Sequence, residues 1–151
     1  MYSLAETFLL NNRVNLLLLD AITEEQLAHV PNPRARSIGD QFAHLHNVRV
    51  MWLEVSAPAR AKAMRKIEKG AAVKAELRAA LEASAEAVAA AIGEAVETGK
   101  MRAYKRGPIA FCGYALAHEG HHRGQILVHL KRAGMPVSRE IQYGIWEWDK
   151  L

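Results

Sequence analysis

The sequence predicts an all-α domain, an antiparallel four-helix bundle with short additional helices. Three features point that way. Capping signatures open segments whose apolar residues recur at helical spacing. An alanine-rich stretch beyond residue 70 has high helix propensity. No alternating, β-branched run bounded by turns occurs.

Ser3 with Glu6 makes a capping box that starts a helix to about Ala21. Thr23 with Gln26 repeats the signature for a short helix ending near "VPNPR", where Pro31 and Pro33 forbid continuation. Ser37 is the expected N-cap of "IGDQFAHLHNVRVMWLEVSA", with Asp40 at the third helical position, and Pro58 closes that helix. A long helical segment is expected from about Lys62 to Val96, with Gly70 and Gly93 as weak points. "TGKMRAYKRGP" reads as a loop, and Pro108 is placed to begin a helix to about Ala133. Gly134 is its expected C-cap, with Pro136 beyond. The tail "SREIQYGIWEWDKL" is expected to form a last short helix, with Trp146 and Trp148 covering one end of the core. Short connections favour antiparallel neighbours. No repeat or linker divides the chain, so residues 1–151 read as one domain.

A chain of 151 residues, half of them hydrophobic and 24% charged, is long enough to bury a core. The single cysteine, Cys112, excludes an intrachain disulfide and fits a reducing cytoplasm. The N-terminal segment is leucine-rich but carries Glu6, Arg13 and three asparagines. It lacks a basic n-region and a cleavage site, and reads as a mature helix rather than a signal peptide. No run approaches the roughly 18 apolar residues of a membrane span. A soluble, cytoplasmic protein without a membrane partner is expected. The net charge is +4. Arg60, Lys62, Arg65, Lys66 and Lys69 form one basic cluster; Lys100, Arg102, Lys105 and Arg106 form another. Both read as solvated surface. No aromatic residues interleave with the first and no recognition motif appears, which argues against nucleic acid as a partner.

Chemistry concentrates in "LAHEGHHRGQIL", residues 116–127. Successive helical residues are offset by about 100°. With His118 at zero, Phe111 lies at about +20°, His122 at about +40° and Ile126 at about +80°, so the histidine pair shares the apolar stripe. His129 shares that side but sits roughly 10 Å further along the axis. On the Ser37 helix, with His44 at zero, Gln41, Leu45, Val48, Met51, Trp52 and Val55 spread from about −20° to +100°. His44 therefore lies within the expected buried arc, and His46 falls outside it. Imidazoles spaced i, i+4 can chelate one ion, and a third from a neighbouring helix completes the set. A lone His44 would more often be a hydrogen-bonded core histidine, but a buried imidazole pair needs polar partners that a metal supplies. His121, His46 and His29 read as ordinary side chains.

"HEGHH" also fits the H-E-x-x-H pattern of zinc proteases. Proteases of that type hold an extended substrate against a sheet edge, and no strand is expected here. The third ligand would have to be something like Glu140, beyond a helix stop. The protease reading is rejected.

"SIGDQFAHLHNVRVMW", followed later by "AHEGHHRGQILVHLKRAGMPVS", resembles the DinB/YfiT-like proteins over most of the chain. That family places a histidine in its second main helix and H-x-x-x-H-R-G-Q in its last. Its most specific part here is "HHRGQ" with the downstream "LKRAGMP". Carried over residue by residue, the family's metal ligands fall on His44, His118 and His122. The resemblance implies a four-helix bundle, often a homodimer, holding a divalent ion. Nickel and zinc are the foremost candidates; iron and manganese are admissible. Some relatives are thiol-dependent S-transferases that activate mycothiol or bacillithiol, and others have no assigned activity. The expected function is thus a divalent-metal-binding protein acting as a metal-dependent thiol S-transferase or hydrolase on a small molecule. The alternative is a non-enzymatic metal-binding or stress-response bundle with a structural or regulatory ion.

Three neutral imidazoles leave a divalent ion its full charge and an open position. Such an ion lowers the pKa of bound water toward about 7 or deprotonates a bound thiol. Gln125, at about −20°, and Tyr114, at about −40°, are supporting or substrate-contacting candidates, as is Gln41. Arg123, at about +140°, is expected to pair at a surface or interface. Gly120 and Gly124 form a small-residue patch on the opposite side, suited to a neighbouring helix or a dimer partner. Cys112 reads as packing.

Overall fold

The computed structural model describes residues 3–102 and 104–151. Both capping boxes close. Ser3 Oγ accepts from the Glu6 N–H at 3.2 Å while Glu6 Oε2 accepts from the Ser3 N–H at 2.7 Å, opening α1 (Leu4–Ala21). Thr23 and Gln26 do the same for α2 (Glu24–Ala28). Ser37 Oγ accepts from the Asp40 N–H at 3.0 Å and opens α3 (Ile38–Ser56). Pro58 ends α3 but also starts the one-turn α4 (Pro58–Ala61), a position where its missing N–H costs nothing. There follow α5 (Lys74–Thr98), α6 (Gly107–Arg132), α7 (Arg139–Gly144) and a 3-10 turn (Trp148–Lys150). Gly134, φ +75°, lies one residue past the α6 C-cap Ala133. It donates to Lys131 O while Met135 donates to Leu130 O, the paired bonds of a Schellman motif. The described residues contain no strand, only an isolated bridge between Met101 and Tyr104. The domain is the all-α bundle the sequence predicts.

Pairs of side chains set the helix directions. Arg78 at the start of α5 pairs with Asp20 at the end of α1, so these helices are antiparallel. Arg49 meets Glu119, and Trp52 meets Phe111, which makes α3 and α6 antiparallel too. His46 and Arg49 bond Ala80 and Leu81 in rising order, so α3 and α5 run the same way. It follows that α1 and α3 are antiparallel, as are α5 and α6, whereas the connection between α3 and α5 returns the chain to the end where α3 began.

That return corrects the expected helix from Lys62. Residues 62–73 are not helical. Twelve residues reach only about 18 Å as a helix but about 40 Å extended, and α3 is about 28 Å long. Only an extended strap covers the distance. Its backbone groups need partners, and α3 supplies them. Arg65 O lies 2.9 Å from His46 Nε2, and Gly70 N–H donates to Asp40 Oδ1 at 2.7 Å. The Asn47 amide bonds both Ile67 N–H and Ile67 O at 2.9 Å. His46 is therefore 2% exposed, not on the outside as helical counting placed it. It lies between Arg65 O and Ala80 O, and a neutral ring donates to one of them at a time.

The strap crosses α3 at Gly39, where an added Cβ would sit 2.9 Å from Ala72 Cβ and 3.2 Å from Leu27 Cγ. Gly39→Ala is expected to cost about 1–3 kcal/mol through overpacking, read as a lower urea midpoint. An unchanged midpoint would mean the strap does not press on α3.

The core places Phe8, Leu18 and Leu19 of α1, Phe42, Leu45 and Leu53 of α3, Leu77, Leu81 and Ile92 of α5, and Phe111 of α6 out of solvent. In the tail Ile145 is buried, whereas Trp146 is 78% exposed and Trp148 half-buried, so neither tryptophan closes the core as expected. Of the first basic cluster, Arg60 pairs with Glu94 and Lys66 with Glu54. Among the described residues no helix is long and apolar enough to cross a membrane.

Candidate metal centre

Antiparallel packing of α3 on α6 sets His44 opposite the i, i+4 pair His118 and His122. One ring nitrogen from each lies within 4.8 Å of the others, and the ring centroids are 4.7–5.3 Å apart. Around an ion bound at about 2.0–2.1 Å the nitrogens would be about 3.3 Å apart, a contraction that small side-chain rotations supply. The His122 Nδ1–H donates to Gln41 Oε1 at 2.6 Å. The amide oxygen only accepts, so Nδ1 must carry the proton and Nε2 keeps its lone pair for a ligand. Gln41 thus orients the ring, one of the roles its position allowed. Tyr114 stacks on His118 at 6.0 Å and 22°. Gln125 is half-buried and makes no side-chain hydrogen bond among the described residues.

Burial, with lesser help from the charges of Arg36 and His118, pushes the His44 imidazole down to about 4. Burial and the neighbouring histidines push His122 to about 4, and burial also lowers His118. All three are neutral near pH 7, the form that ligates metal. The donor set fits a divalent ion.

The sign of the linkage follows. In the metal-free protein the unfolded chain takes up these protons near its ordinary 6.5, and the folded one near 4. Between those values the unfolded state binds more protons, so stability is whole above pH 6.5 and declines as pH falls toward 4. Thermal unfolding of the metal-free protein should show Tm dropping through that window, with a shallower drop in His44→Gln; a flat profile would contradict the burial.

Helical counting placed the histidines in the bundle interior, and His122 is indeed buried at 7% exposed, but the deepest positions belong to other residues. His44 and His118 are half-buried, in the groove between α3 and α6. Deeper lies Glu119, 2% exposed, gripped by the Arg49 fork: Nε to Oε1 at 2.7 Å and Nη2 to Oε2 at 2.8 Å. Asn11 and Asn15 donate to the same Oε2 at 2.6 and 2.7 Å. Arg49 Nη1 donates to Asn12 Oδ1 and Leu81 O, both at 2.9 Å. Burial alone would raise the Glu119 carboxyl, but the Arg49 charge and these hydrogen bonds hold it below its ordinary value. Arg123, expected at a surface or interface, is buried and donates to Asn15 Oδ1 at 2.6 Å. Sequence reasoning missed this network because it treated charged residues as outward. The available signal was Asn11, Asn12 and Asn15 amid the leucines of α1, three amides that a buried helix face tolerates only with partners. Glu119 has no free oxygen to act as a protease base, a second reason against that reading. Cys112 is buried and packs as expected.

On the far side of His118 lies a small void of about 10 Å³, closed by Trp52 of α3, Phe111 and Tyr114 of α6, Phe8 of α1 and Val88 of α5. Trp52 packs edge-on against Tyr104, Phe111 and Tyr114. Its indole N–H is buried without an acceptor among the described residues.

No curated protein and no solved structure matches the chain. A family model described as the DinB family matches residues 1–146, across all four long helices and every residue of the centre. The chain belongs to the DinB family.

Proposed function

We propose that the chain is a divalent-metal enzyme acting on a small molecule, with His44, His118 and His122 as the ligands and thiol S-transfer as the reaction that best suits the site; hydrolysis is the alternative chemistry. The convergence of the three imidazoles, with Gln41 holding His122 in the ligating tautomer, supports the reading most directly. Zinc and nickel suit an all-imidazole set, and availability selects between them. When bound, the ion supplies a Lewis acid that makes a thiol or water nucleophilic near neutral pH. Gln41 and Tyr114 keep the His122 and His118 rings in place. Trp52 and Phe111 exclude water from one side of the centre. A cleft of about 210 Å³ beside His44 gives a reactant room to approach the centre from that side.

A cytoplasmic homodimer belongs to the same reading. In support, an added Cβ at Gly124 would meet nothing within 4 Å, so the small-residue patch of α6 is uncovered there. Metal analysis after purification without an affinity metal should find about one ion per chain, as three ligands with one open position require. The loaded protein should then turn over some pairing of a low-molecular-weight thiol with an electrophile. Bound metal with no turnover across thiols, electrophiles and esters would leave the ion structural or regulatory.

A further inference from the structure

The strap does more than reconnect two helices. It roofs a cleft of about 210 Å³ whose walls include Arg36, Asp40, His44, Asn47 and Lys69. Most of the polar groups there are already engaged. The Asn47 amide is used on Ile67, and Asp40 Oδ1 accepts from Gly70 N–H. Arg36 and Lys69 are different. Neither has a carboxylate within ion-pair distance among the described residues, whereas Arg60, Lys66 and Arg78 each do. Two unpaired cations against one aspartate leave the walls with a net positive charge of one. The field of Arg36 extends over the whole histidine cluster, where it contributes to the lowered pKa of His44, His118 and His122.

We propose that this cleft is the subsite for a carboxylate, so that the molecule reaching the centre from the His44 side is a small carboxylic acid held by Arg36 and Lys69. A single net charge matches a monoanionic carboxylate better than dianionic phosphate, and the volume admits only a few heavy atoms beside the anchoring group. Neither cation belongs to the histidine motif. The chain brings them together because Arg36 precedes the α3 N-cap and Lys69 ends the strap that returns to it. Of the basic cluster around residues 60–69, Lys69 is exposed as expected and also lines this open cleft. The position of the centre next to the cleft rests on the metal reading; the anion subsite does not.

Cobalt-substituted protein separates the two. Mercaptoacetate, 3-mercaptopropionate and 4-mercaptobutyrate are titrated against their neutral amides, following the thiolate-to-cobalt charge-transfer band. At least one acid should bind roughly tenfold tighter than its amide, as two exposed ion pairs would provide. Arg36→Gln with Lys69→Gln should erase that preference while the amides bind as before, and added salt should weaken only the acids. Equal binding of every acid and amide, or a preference untouched by the double variant, overturns the subsite with the metal centre intact. Failure of cobalt to bind overturns the metal reading instead. A succinate titration of the metal-free protein then decides the cleft. Amide shifts at Ala43, His44 and Asn47 that vanish in the double variant sustain it, and no shifts there end it. Inorganic phosphate displacing succinate more effectively than acetate does would replace carboxylate with phosphate and overturn the assignment.

Discussion

Glu119→Ala should lower folding stability by about 3–5 kcal/mol, the cost of removing one partner from a buried ion pair. The Arg49 guanidinium would keep its bonds to Asn12 and Leu81 but lose its counter-charge, and the Asn11 and Asn15 amides would lose their common acceptor. Asn11 Oδ1 is already a buried acceptor without a donor among the described residues, so this part of the core is imperfectly paired even before the substitution. Since a domain of this kind has about 5–15 kcal/mol in total, the variant should sit near the edge of folding. Glu119→Gln keeps the shape but not the charge, and should lose less. Urea unfolding gives both numbers. An alanine variant with an unchanged midpoint would show that the Arg49 charge finds water, contrary to its burial. Because Glu119 adjoins His118, activity lost in either variant must be weighed against lost fold before a catalytic role is assigned.

His122→Ala should weaken metal binding by more than about a hundredfold, since loss of a supporting hydrogen bond alone costs ten- to a hundredfold. Gln41→Ala tests that lesser cost directly, because it frees the His122 ring to turn and to carry its proton on the wrong nitrogen. His122 is buried but, unlike Glu119, holds no counter-charge in place, so its loss strands only the Gln41 side chain and helicity by circular dichroism should survive. Chelator competition with zinc reads both affinities. Wild-type affinity in His122→Ala would remove this side chain from the proposed ligand set, and equal affinities for the two variants would mean that Gln41 acts as strongly as a ligand.

The histidines and the deep network show how far helical counting goes. On α6, with His118 at zero, the buried residues Phe111, His122, Ile126, Glu119, Leu130 and Arg123 lie at about +20°, +40°, +80°, +100°, +120° and +140°, so the arc centres near +80° and His118 marks its edge. On α3 the error was larger. Met51 and Val55, counted as buried, are 43% and 55% exposed, while His46, Arg49 and Leu53 are buried at about 200°, 140° and 180° from His44. Apolar residues were taken as inward and charged ones as outward, a rule that fails where buried charges are paired with each other. The histidines still converged because both errors turned the arcs away from the groove and not across it.

Local chemistry alone determined the starts of α1, α2 and α3, the Schellman stop and the histidine spacing, because a cap or an i, i+4 pair is satisfied within one turn of chain. The same is true of the all-α class, which follows from summed propensity and the lack of strands. Depth was decided only by the assembled helices. Whether Arg49 and Glu119 lie inside depends on partners from α1 and α5, and whether residues 62–73 coil depends on the length of α3 they must travel back along. Those quantities belong to the distance between elements, and no window of neighbouring residues contains it.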